Sequence, residues 1–203
     1  MARREKIRNN HTATHLLHQS LREVVGNHVS QKGSLVNDQK LRFDYTSNEP
    51  LSEDKIRKIE FIVNSSIRSN ITSQIKYMPI KEAIKGGAIA LFGEKYPENV
   101  RVLSISDNNT NSFVSVELCG GTHVKSTGQI GFFKIINETS ISSGIRRIEA
   151  VTGNKAEKFV YNKIHLLDDI KSLLKANDKN ILEKLKNIKE ENTSLKKKKK
   201  DNK

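Results

Sequence analysis

Leu17, Leu21, Val24 and Val25 recur at helical spacing near the start of the chain, behind a polar face that carries histidines, and Gly26 is placed to stop that helix. After GNHVSQKGS, whose glycines suggest a loop or a strand edge, Leu41, Phe43 and Tyr45 alternate with Arg42 and Asp44, the pattern of a half-buried strand. A second helix follows Leu51: Ser52 is a candidate N-cap, acidic residues fill the first turn, and Ile56, Ile59, Val63 and Ile67 form an apolar stripe. Pro79 ends the alternating segment ITSQIKYM and opens a short helix, PIKEAIKGG, closed by its glycines. Three further strands are expected in VRVLSIS, SFVSVELC and GFFKIINE, and a last one in IRRIEAVTG, before the chain turns helical from about residue 154.

Helices mixed with runs of strands, rather than regular alternation, predict an α+β fold with a largely antiparallel sheet over residues 1–160. Residues 161–203 form a different kind of segment. Leu167, Leu174, Ile181, Ile188 and Leu195 keep a seven-residue spacing, but the companion positions Lys171, Asp178, Leu185 and Asn192 hold one apolar residue among them. A long solvated helix or a helical hairpin bent near Asn177 and Asp178 is therefore weighed equally against a coiled-coil arm that would support a homodimer.

Composition narrows the setting. A chain of 203 residues with one cysteine can build a core but no internal disulfide, which points to a reducing compartment. No apolar run is long enough for a bilayer, and MARREKIRNN leads into a polar helix rather than a signal peptide, so a cytoplasmic protein is expected. The net charge of +13 favours a polyanionic partner, with nucleic acid ahead of membrane, although KKKKK at 196–200 supplies part of the excess as a solvated tail. With no tryptophan and few aromatics, phosphate and shape contacts are expected to dominate over base stacking.

The chemistry lies in two distant motifs, HTATH at 11–15 and CGGTH at 119–123. On a helix, His11 and His15 share a face one turn apart; Cys119 and His123 enclose a Gly-Gly pair that permits a sharp turn. Together they offer three nitrogens and a sulfur, a donor set that suits tetrahedral zinc. His18 lies three residues further along the same face, either as a replacement ligand or as a residue supporting the others.

HTATHLLHQSLREVVGNHVSQKGSLV, LRFDY, ELCGGTHV and SGIRRIEAVTG resemble, in the same order, the editing domain of alanyl-tRNA synthetase and its free-standing deacylase relatives, over roughly residues 3–160. The editing domain of threonyl-tRNA synthetase shares the two metal pairs, but LRFDY and GIRRIEAVTG look like the alanyl type. The resemblance implies an open groove carrying zinc and hydrolysis of tRNA(Ala) mischarged with serine or glycine. A pocket shaped for alanine cannot exclude glycine and rejects one added hydroxyl poorly, so a second site must sort by that hydroxyl.

By the same resemblance, His11, His15, Cys119 and His123 match the zinc positions, and Thr14 and Gln31 match positions lining the amino-acid pocket. Gly120 and Gly121 are candidates to present backbone amides to the ester carbonyl, and Arg146 and Arg147 to meet acceptor-stem phosphates. Plainer roles exist for each: back-bonding to its own helix for Thr14, a loop surface for Gln31, turn geometry for the glycines, and a solvated strand edge for the arginines. Four protein ligands would make the zinc structural; three would leave a position for water or substrate. The chain is too short to hold an aminoacylation domain and shows no ATP-binding motif, and its tail resembles the helical linker after the synthetase editing domain. A piece of a synthetase is thus expected over an independent editing factor, and hydrolytic editing of tRNA(Ala) over a zinc-stabilised tRNA-binding module without catalysis or a threonyl-type editing domain.

Overall fold

A computed structural model describes residues 2–90, 95–107 and 112–201, and the chain divides near residue 157 into two compact units. The first opens with α1 (Arg3–Val24), whose Ala13, Leu16, Leu17 and Leu21 are all buried. The helix stops two residues before Gly26, whose φ of +140° only glycine tolerates readily. Strands β1 (Gln31–Val36) and β2 (Leu41–Thr46) form a hairpin, and α2 (Glu53–Arg68) follows with Ser52 Oγ accepting from the Lys55 amide at 3.3 Å. The stripe of α2 faces inward as its spacing predicts, with Ile59, Val63 and Ile67 buried.

Next come β3 (Ser73–Pro79), the short α3 (Ile80–Lys85), β4 (Asn99–Asp107), β5 (Ser112–Leu118), a 3-10 turn at Thr127–Ile130, β6 (Phe133–Ser142) and β7 (Ile145–Thr152). The strands make two antiparallel sheets rather than one, ordered β1-β2-β7-β6 and β3-β4-β5. Each sheet has its own reason to exist. The main core joins α1, α2 and the four-stranded sheet, and Leu103 and Ile105 of β4 also reach it. The opposite face of the smaller sheet covers a second core of Ala83, Ala88, Val100, Val102 and Leu118.

The alternation in LRFDY understates its burial. Leu41, Phe43 and Tyr45 are inaccessible, but Asp44 on the other face is buried as well, because β2 is an interior strand and Arg147 sits directly opposite on β7. A bidentate pair, with Arg147 Nε and Nη2 donating to Asp44 at 2.7 and 2.9 Å, satisfies that carboxylate.

One side chain locks α2 to the large sheet. Buried Asn64 accepts from the Phe133 amide at 2.9 Å and donates to the Phe133 carbonyl at 2.9 Å, closing a two-bond ring at the start of β6. Asn64→Ala is expected to cost about 2–3 kcal/mol, because both backbone groups of Phe133 lose their partner in the interior. Urea unfolding would measure it; a loss under about 0.5 kcal/mol would contradict the assigned role.

In the second unit, α4 (Asn154–Leu173) and α5 (Ile181–Asp201) are separated by a break at the predicted bend. Lys175 takes a φ of +47°, and Asn177 Oδ1 accepts from the amides of Lys179 and Asn180 at 3.0 and 3.2 Å, starting α5. The heptad therefore does not run through one continuous helix, and Leu167, Ile188 and Leu195 remain exposed. No helix among the described residues is long and apolar enough to cross a membrane.

Candidate metal centre

His11 and His15 project from one face of α1, and β5 supplies the opposing half of the site. Leu118 points into the second core, so strand alternation turns Glu117 and Cys119 the other way, toward α1. The loop after Cys119 then carries His123 back over the same spot. Cys119 Sγ lies 3.5 Å from His11 Nε2 and 3.3 Å from His123 Nε2. The ligand atoms of His11, His15, Cys119 and His123 all fall within 4.8 Å of one another. A tetrahedral ion with bonds of about 2.0–2.3 Å spaces its ligand atoms roughly 3.3–3.8 Å apart, so the group fits one with little contraction.

Each imidazole is steered from its far nitrogen. His11 Nδ1 faces the Thr122 carbonyl at 3.3 Å, His15 Nδ1 lies 2.9 Å from Glu117 Oε2, and His123 Nδ1 is 3.4 Å from Thr12 Oγ1. All three rings thereby turn Nε2 inward, the nitrogen a shared ion would meet. His15 Nε2 is buried with no hydrogen-bond partner among the described residues, an orphan that a metal ion would satisfy. His18 is not one of the four; its Nδ1 lies 3.2 Å from Glu117 Oε1, where Ser115 Oγ also donates at 3.2 Å. Glu117 thus bridges two histidines at the floor of the site.

The charges are sorted before any ion enters. Burial alone would raise the Cys119 thiol, but hydrogen bonding with His11 and His123, and the charge of nearby His15, bring it down to about 3, so it is a thiolate at neutral pH. Burial, with His15 and His11 nearby, pushes His123 down to about 4, leaving it neutral. Burial also works against a charged His15, yet the Glu117 carboxylate outweighs it and raises the imidazole above neutrality, while Glu117 itself is held well below the usual carboxylate range. A metal ion must therefore displace a proton from His15. Metal affinity is expected to climb about tenfold per unit from pH 7 to 9, since proton release is favoured as pH rises. Chelator competition, corrected for the chelator's own protonation, tests this; a flat profile would mean His15 is already neutral.

Gly121 is where glycine is required: a Cβ there would lie 2.0 Å from His11 Cε1. At Gly120 the same position is open space. Thr14 is buried on α1 between the two histidines, and its hydroxyl donates to the Asn10 carbonyl at 2.9 Å. Gln31 begins β1, half-buried, with Nε2 donating to Ser34 Oγ at 3.4 Å. Arg146 forks onto Glu138, with Nη2 at 2.8 Å, and Arg147 onto Asp44. Sequence reasoning passed over Glu117, Thr12 and Arg101, the last donating from Nη1 to the carbonyls of Cys119 and Gly121. Alternation could have flagged Glu117, two residues before Cys119 on one strand; Thr12 and Arg101 carry no such signal.

A family model described as "Threonyl and Alanyl tRNA synthetase second additional domain" matches residues 100–149, which span Arg101, Glu117 and the second metal pair. The alanine–tRNA ligase of Pseudoalteromonas translucida (strain TAC 125) is 48% identical over 184 residues, covering 91% of this chain. The chain spans 20% of that relative's length. With that relative and family model matched, and the two histidine- and cysteine-bearing motifs folded into one group, the chain belongs to the family of alanyl-tRNA synthetase editing domains.

Proposed function

We propose that this domain hydrolyses the ester of tRNA(Ala) wrongly charged with serine or glycine, around a zinc ion held by His11, His15, Cys119 and His123. The observation that carries this reading is the convergence of four zinc-type ligands from motifs more than a hundred residues apart, in a chain of this family. With four protein ligands the bound ion would fix the shape of the pocket rather than activate water. The chemistry then falls to neighbouring groups. Thr14 and Gln31 read the seryl hydroxyl or hold the attacking water: the Thr14 hydroxyl, donating to Asn10, keeps an oxygen that can accept. The amides of Gly120 and Gly121 meet the carbonyl oxygen as it gains charge, and open space beside Gly120 lets an ester approach. Water adds to the acyl carbon, the ribose oxygen leaves with a proton, and free amino acid and tRNA result.

Arg146 and Arg147 each engage a carboxylate through Nε and Nη2, and Nη1 is the atom assigned to phosphate. Serine is favoured over alanine because the alanyl methyl would leave the hydroxyl-reading groups unpaired, at about 1–3 kcal/mol per group, whereas glycine has no side chain there and leaves room for a water to pair them. The test is deacylation of seryl-, glycyl-, alanyl- and threonyl-tRNA by the zinc-loaded chain. Release of serine and glycine with alanine retained is expected. Hydrolysis of none would leave a zinc-stabilised RNA-binding module, and preference for the threonyl ester would move the assignment to the sister family.

A further inference from the structure

The three-stranded sheet carries a feature that the ester chemistry leaves unused. Tyr77 on β3 is paired with Arg101 on β4, and the Cys119 amide extends the β4–β5 ladder by donating to the Arg101 carbonyl at 3.1 Å. Met78, Val100, Val102 and Leu118 belong to the second core on one face, so Tyr77, Arg101 and Cys119 form a cross-strand row on the other. At about 4.8 Å per strand, Tyr77 stands roughly 10 Å from the thiolate ligand. The next row reads Ile75, Leu103 and Glu117. Leu103 and Glu117 are buried, whereas Tyr77 is 75% exposed and Ile75 46% exposed. The metal face of the sheet therefore continues outward into an uncovered aromatic and aliphatic ledge.

We propose that Tyr77, seated beside Ile75, is the platform on which the terminal adenine of the aminoacylated RNA stacks while its ester lies at the metal centre. The inference rests on the deacylase reading. An ester on the terminal ribose is separated from its own base by one sugar ring, so the base must land beside the metal loop, and Tyr77 is the exposed aromatic in that row. Arg101 holds the arrangement in register, since its guanidinium ties the carbonyls of Cys119 and Gly121 to the strand that pairs with Tyr77. β3 bears no carboxylate, and Lys125 lies beside its start through the Ser73 amide, so the RNA backbone meets no acidic side chain from this strand. Phe61, the other strongly exposed aromatic among the described residues of the first unit, lies on α2 under the Arg68 guanidinium, away from this sheet.

A second copy adding a strand to this edge is the competing occupant. It is disfavoured because the Thr72–Ser126 bridge already pairs the edge at one end and Pro79 removes the amide at the other.

The experiment compares hydrolysis of Ser-tRNA(Ala) by the wild-type chain, Tyr77→Ala and Tyr77→Phe, all with measured metal content. Tyr77→Ala is expected to raise KM roughly tenfold with kcat and metal content little changed, and Tyr77→Phe to restore the wild-type KM, because stacking needs the ring and not the hydroxyl. In parallel, adenosine 5′-monophosphate is titrated into the wild type and the Tyr77 ring proton resonances are followed; an upfield shift is expected. An unchanged KM in Tyr77→Ala from an active wild type overturns the platform, as does a rise in KM that tracks a change in sedimenting mass. A wild type inactive on every ester overturns the deacylase reading instead, and the nucleotide titration then decides the platform alone: a ring shift upholds it and none removes it.

Discussion

Gly121→Ala is expected to strip the protein of most of its metal, while Gly120→Ala next to it retains a full complement. The added methyl at 121 would sit 2.0 Å from His11 Cε1, a separation that no real contact sustains, so either the ring or the loop must move. Neither can do so cheaply. The ring is anchored on a buried helix and the loop is held by Arg101 through its carbonyls at both 119 and 121. Since disturbing only the support of a ligand typically costs 10–100-fold in affinity, displacing a ligand itself should cost at least about 100-fold. The control is informative because both variants add a methyl to the same Gly-Gly pair, and at Gly120 it meets open space. Elemental analysis and chelator competition on the two proteins decide it; equal metal content would show that the loop is more compliant than its contacts indicate.

Glu117→Ala is expected to be the most damaging single change beneath the site. It removes the acceptor of two buried imidazoles, at 2.9 and 3.2 Å, and leaves both without a partner in the interior. Deleting one side of such a buried charged pair typically costs about 3–5 kcal/mol. The metal affinity should drop about 10–100-fold as well, because His15 loses the contact that turns its Nε2 inward. Glu117→Gln separates the two effects: its amide oxygen can still orient one histidine, but its NH2 group opposes the other, so stability should fall less than in Glu117→Ala. Urea unfolding of the metal-loaded proteins and chelator titration give the two readouts. A Glu117→Ala variant with native stability would mean that the histidines find other partners.

The α+β class and nearly every element could be read from the chain, because the apolar stripe of α2, the Ser52 cap and the alternation in β2 are local patterns with local causes. The division into two sheets could not, since a strand's own period does not reveal which neighbour it pairs with, and β4 contributes to both cores. The grouping of His11, His15, Cys119 and His123 was legible because histidine and cysteine at tight spacing are rare and chemically distinctive. Their supports were not: Thr12, Arg101 and the Thr122 carbonyl are ordinary groups whose role depends on a fold that brings residue 12 against residue 123. The heptad at the C-terminus left a bent hairpin and a coiled-coil arm level, and the helices break where Asn177 caps the following one.

The ligands at positions 11 and 123 have a bearing on how the polypeptide reaches its native state. An ion clasped by both ends acts as a cross-link across a loop of about a hundred residues, which by loop-closure entropy can restrict the unfolded ensemble by up to about 5 kcal/mol. Such a staple cannot close until β5 has been placed against α1, so it would act on the assembled arrangement. A bound ion would have to be released before α1 and β5 separate, so its effect would fall on opening, as kinetic persistence.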